Sequence, residues 1–160
     1  MKLSRVLMLL VVGFSAFVLG GGVVSAGPPS GFTPTILSTG TISRLVEVER
    51  NGITFKSQPN ATVITQQGDF VAGGTSGWHT HPGLTVVTVV SGSVTNTNGC
   101  KAPATYVAGQ SFVEPPDTPL VVQNASATDS ARVITMLIVP AGKAARTNVD
   151  APTCPPPPQG

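Results

Sequence analysis

Charge is scarce in this chain. Only 10% of its 160 residues are Asp, Glu, Lys or Arg, with Lys+Arg 9 against Asp+Glu 7. That near balance excludes a nucleic-acid binder built on a basic face, a charged disordered tail and a coiled coil. Gly (18) and Pro (15) make up roughly a fifth of the chain, below the ~25–30% of low-complexity sequence and without a collagen period. No segment after residue 26 keeps a helical period for more than two turns. Ser91 and Ser111 lack the Gly-x-Ser-x-Gly context of a nucleophile elbow. Histidine occurs only twice and cysteine only twice.

The long apolar run lies at the start. Lys2 and Arg5 precede an apolar stretch from Val6 to Leu19, and Val24-Ser25-Ala26 fits a small-residue cleavage site. Residues 1–26 are therefore expected to be a signal peptide, cut after Ala26, with an uncleaved anchor over Val6–Val24 as the alternative. No Cys lies near the cut, which argues against a lipoprotein. Without Lys2 and Arg5 the basic and acidic residues are equal in number, so no field steers the mature chain to nucleic acid or to an anionic membrane. The expected location is secreted or extracytoplasmic, where Cys100 and Cys154 read as one disulfide. Two free buried thiols are the alternative. Asn60-Ala61-Thr62 and Asn124-Ala125-Ser126 match the glycosylation acceptor pattern, which matters only in a host that glycosylates.

The rest reads as strands. Val46–Arg50 alternates strictly, and Asn51-Gly52 then joins it to Ile53–Lys56 as a hairpin. Further β-branched runs are Ala61–Gln66, Leu84–Val90, Ser93–Thr97, Ser111–Glu114, Leu120–Gln123 and Arg132–Val139, separated by Gly, Pro, Asn and Asp turns. Phe70–Thr75 fits strand or loop. Short, regularly spaced strands predict an all-β sandwich or barrel in one domain. The expected division is a signal peptide over 1–26, a Pro/Gly-rich leader over 27–34, a barrel over 35–147 and a Pro-rich tail over 148–160.

His79 and His81 are the one constellation that could carry chemistry. On a strand, positions i and i+2 share a face, so both imidazoles point the same way, as suits a metal or an acid–base pair. Their flanks read Gly73, His79-Thr80-His81, Thr85 and Gly92, which resembles the first signature motif of the cupin superfamily: Gly, five residues, His-x-His, three or four, Glu, six, Gly. Gly109, Pro115 and Asn124 are similar to the second motif, with Asp117 in place of its Gly and Leu120 in place of its His. The resemblance implies a cupin-type β-barrel, the double-stranded β-helix or jelly roll. Gly77–Gly83 looks like a subgroup of small secreted cupins with a Cys after the first hairpin and another near the tail, which also implies the Cys100–Cys154 pair.

The same resemblance implies metal ligands at His79, His81, position 85 and position 120. Thr85 is a poor ligand and Leu120 is none, so the site is expected to be incomplete, with His79 and His81 holding Zn, Mn, Fe or Ni weakly or no cofactor at all. Glu114 or Gln123 reaches the site only if the local register departs from the family's. Period two places Thr85, Val87 and Val89 on one face, with Leu120 and Val122 likewise. His79, His81, Thr85, Val87, Leu120 and Val122 would thus line either an apolar small-molecule pocket or a filled core. Trp78, Tyr106, Lys143 and Arg146 read as packing or solvated residues. The leading expectation is a small-ligand-binding or non-catalytic barrel. The alternatives are a metal-dependent oxygenase or isomerase using His79 and His81, and a storage or structural protein. The partner would be a small molecule, with no nucleic acid and no membrane after signal cleavage, and the resemblance admits a homodimer through edge strands.

Overall fold

The computed structural model describes residues 27–155, and these are built from strands. In chain order they are β1 (Ser30–Ile42), β2 (Val46–Arg50), β3 (Ile53–Ser57), β4 (Ala61–Thr75), β5 (His79–Thr80), β6 (Thr85–Ser91), β7 (Ser93–Asn98), β8 (Ala104–Val107), β9 (Ser111–Glu114), β10 (Leu120–Gln123), β11 (Ala131–Val139) and β12 (Thr147–Asn148). The proposed signal segment lies outside the described residues. Among those described, no helix is long and apolar enough to cross a membrane.

Ten strands form one antiparallel sheet that curls into a barrel, and β2–β3 stand apart as a hairpin. The long β4 is its spine. Along one edge it pairs with β1, from Ser30↔Thr75 to Ile42↔Ala61, and along the other with β11, from Ala131↔Phe70 to Val139↔Thr62. β11 passes to β6, and β6 to β9. On the other flank β10 pairs with β7, β5 and the end of β4. The result is an all-β cupin-type jelly roll.

Alternation decides which side chains enter. Along β11, Ala131, Val133, Thr135, Leu137 and Val139 are buried and the intervening residues are less so. β9 buries Phe112 and Glu114 and exposes Ser111 and Val113. The core gathers around Phe70, Val89, Val94 and Leu120, with Tyr106 stacked on Phe112 at 4.5 Å between ring centroids. Turn chemistry follows the sequence. Asn51 and Gly52 both have positive φ and close the β2–β3 hairpin. Gly92, between β6 and β7, has φ +69, and a Cβ there would lie 2.5 Å from the Ser130 carbonyl oxygen, so only glycine fits.

Three features were not visible in the sequence pattern. β1 begins at Ser30, inside the stretch read as a leader, and Phe70–Thr75 continues β4 as strand. β1 is mostly exposed, so its lack of an apolar pattern follows from its being held by the backbone ladder with β4 rather than by burial. Asn124 is 1% exposed, with Nδ2 donating to the carbonyls of Val71 and Asp129 and Oδ1 accepting from the Ser126 N–H. Its tripeptide is therefore no acceptor in the folded chain, whereas Asn60 is exposed.

Cys100 and Cys154 are bonded, with a Cα–Cα distance of 5.4 Å and a sequence separation of 54. The bond fastens the chain beyond β12 to the β7–β8 turn. Replacing both with Ala should cost about 2–4 kcal/mol of unfolding free energy. Urea denaturation of both proteins checks this, and equal midpoints would contradict it.

Candidate metal centre

The two histidines sit where β5 meets β10 and β12. Leu120 of β10 is the register partner of His79, and Asn148 of β12 pairs with His79 on its other side. Gly77 turns the chain into β5 at φ +65, where a Cβ would lie 2.8 Å from Pro29 N. Its carbonyl oxygen accepts from His79 Nδ1 at 2.9 Å. His81 Nδ1 lies 2.6 Å from the Ala145 carbonyl oxygen. A carbonyl can only accept, so both Nδ1 atoms carry the proton and both Nε2 atoms face the barrel interior as potential ligands. The rings stand nearly perpendicular, 88°, with centroids 4.8 Å apart.

Glu114 completes the group. His79, His81 and Glu114 are all buried, and their ligating atoms lie within 4.8 Å of one another. His81 Nε2 is 3.2 Å from Glu114 Oε2. The expectation counted two ligands, His79 and His81, and the structure brings Glu114 to them as a third candidate ligand. Glu114 on β9 is the register partner of Thr85 on β6, so the two side chains leave neighbouring strands on the same face. Thr85 occupies the position where the resemblance implied a glutamate. The carboxylate of this site comes instead from the neighbouring strand. The local signal was present in the Phe112-x-Glu114 alternation, but the pairing that aims it is not local.

With Nδ1 of His81 committed to Ala145, its Nε2 cannot meet the Glu114 carboxylate as a neutral ring without two lone pairs facing each other. The pair needs a shared proton or a cation between the two atoms. The donor set fits a cation: two imidazoles and a carboxylate are borderline ligands suited to a first-row divalent metal. His79 is ready to ligate. Burial above all, and the nearby Arg146 charge, push its pKa down to about 3, while the Gly77 hydrogen bond works in the opposite direction. Thr85 adds a buried hydroxyl with no hydrogen-bond partner among the described residues.

A cavity of about 200 Å³ opens beside the three ligands. His79, His81, Val87 and Val122 line it, and Thr85 and Leu120 do not. Those two are 1% and 0% exposed and belong to the packed interior. The wall also includes Phe32 and Ile36 of β1 and Ile64 of β4. Sequence reasoning missed Arg146 as well. It was read as solvated, yet it lines the cavity and donates to the Ser76 carbonyl and, from Nε, to Asn148 Oδ1 at 3.1 Å. Burial lowers its pKa and the Glu114 charge raises it. Trp78 is half-buried, and its carbonyl accepts from Val149 N.

Residues 66–139 match the family model of the Cupin domain, Cupin_2. With the fold, this makes the chain a cupin-superfamily protein. No curated protein matches the sequence. Among solved structures, an uncharacterized conserved protein with a double-stranded β-helix domain from Klebsiella pneumoniae is 14% identical. The alignment covers 79% of this chain and 87% of that one, with a TM-score of 0.54. A cupin-2 domain from Rhodospirillum rubrum is 15% identical over 77% of this chain and 68% of that one, TM-score 0.53. A cupin-like protein from Thermotoga maritima is 17% identical over 56% of this chain, which spans 65% of that protein, TM-score 0.50. At these identities the likeness is one of fold.

The depressed His79 pKa sets a pH dependence for the metal-free protein. An unfolded imidazole protonates near 6.5 and the folded one near 3. Between these values the unfolded chain binds more protons, so this contribution is complete above the upper value and is lost as pH falls towards the lower, at about 1.4 kcal/mol per pH unit. The His79 ring resonance followed by NMR should show no titration between pH 7 and 5. A midpoint near the ordinary histidine value would contradict the account.

Proposed function

We propose that the chain is a metal-binding cupin whose barrel takes up a small organic molecule next to a divalent ion held by His79, His81 and Glu114. The supporting observation is the convergence of three buried ligating atoms within 4.8 Å. A three-ligand site leaves coordination positions free, and a bound ion would there act as a Lewis acid on whatever occupies the cavity. Zn, Mn, Fe and Ni all suit this donor set. The cavity weighs against a filled storage-type barrel.

Turnover by this centre, as in an oxygenase or isomerase, is the second reading. The ligand count favours it, because closed structural zinc sites use four protein ligands and catalytic ones three. Export is proposed with it, on the basic and apolar start of the sequence and the disulfide.

Calorimetric titration of the metal-free protein with zinc and manganese tests the proposal. Wild type should bind close to one ion per chain, and Glu114→Gln should bind at least tenfold more weakly. Binding well below one ion per chain, or an unchanged affinity in Glu114→Gln, would overturn it.

A further inference from the structure

Arg146 is unusual for a cation at the wall of an apolar cavity. It is half-buried, and among the described residues it forms no ion pair. Two of its five N–H donors have partners, the Ser76 carbonyl and Asn148 Oδ1, and both partners are uncharged. The negative charge of Glu114 acts on it, yet Glu114 sits against His81 Nε2 at 3.2 Å and belongs to the metal group. A guanidinium drawn out of water without a carboxylate is costly unless an anion joins it.

The placement of Arg146 is fixed by the chain around it. Ala145 holds His81, Thr147 and Asn148 pair with Thr80 and His79, and Cys154 fastens the arm to Cys100. The guanidinium thus shares the cavity wall with the three ligands and with the apolar side chains of Phe32, Ile36, Ile64, Val133 and Leu137. With a divalent ion in place, the ion, Arg146 and Glu114 would leave an excess of two positive charges beside the cavity, since imidazoles ligate as neutral rings.

We propose that Arg146 anchors the carboxylate of a small organic acid whose apolar body lies against the β1 and β4 side of the cavity. This rests on the reading of the cavity as a ligand site. It does not require the metal, because the remaining guanidinium donors match a carboxylate by themselves. A bound ion strengthens the attraction by adding positive charge.

Benzoate and its neutral isostere benzamide are the probes, titrated by calorimetry into wild type and Arg146→Gln, each metal-free and zinc-loaded. Wild type should prefer benzoate at least tenfold in both metal states, and Arg146→Gln should lose that preference in the metal-free protein. Arg146→Lys, which keeps the charge but not the fork, should retain part of it. Equal affinity for the two probes in wild type, no binding of benzoate at millimolar concentration, or a preference that survives in metal-free Arg146→Gln would overturn the proposal. Zinc titration without benzoate reads the metal centre separately. A failed centre with a surviving Arg146-dependent preference would remove the metal and leave the acid site standing.

Discussion

A carboxylate that is 2% exposed inside a barrel has to be compensated, and among the described residues the only side chain that meets Glu114 at hydrogen-bond range is His81. Desolvating such a group costs several kcal/mol unless a partner returns it. His81 cannot be that partner as a neutral ring, because its Nδ1 proton is bound to Ala145. The contact therefore selects between a proton and a metal ion. Around this choice the rest of the site is arranged: Gly77 orients His79 in the same way that Ala145 orients His81, and the two Nε2 atoms converge on the carboxylate.

The arm after β11 links this centre to the covalent framework. Four consecutive residues each touch the site: Ala145 by its carbonyl, Arg146 by its charge, and Thr147 and Asn148 by pairing with β5. A short arm with so few backbone pairs would fray in isolation. The disulfide six residues beyond, at Cys154, restrains it. A surface-exposed chemical bond thus acts on buried geometry, because the ligand orientation depends on a segment that lies outside the main ladder.

Local sequence carried much of the fold. The Asn51-Gly52 turn, the alternation along Arg132–Val139 and the bounds of the strand ending at Gln123 are all set by neighbours in the chain, and the structure has them. The spacing of Gly73, Gly92 and Gly109 also has a physical counterpart, since all three adopt positive φ. The register Leu120↔His79 agrees with Leu120 standing at the second-motif histidine position. The parts that escaped depend on distant pairing. Glu114 becomes a ligand only through the Thr85↔Glu114 register, and Arg146 enters the cavity only because a strand too short to leave a pattern docks on β5. β1 escaped for the opposite reason, being long but largely solvent-facing.

The claim on which the account turns is that both imidazoles carry their proton on Nδ1 and offer Nε2 to one ion shared with Glu114. Long-range proton–nitrogen correlation NMR of the labelled protein reads this directly, before and after one equivalent of zinc. The account predicts the Nδ1–H form for His79 in the metal-free protein, and Nε2 resonances of both rings moved to metal-bound values on zinc addition, with the Nδ1 protons retained. An Nε2–H form of His79, or ring nitrogens that do not respond to zinc, would contradict it.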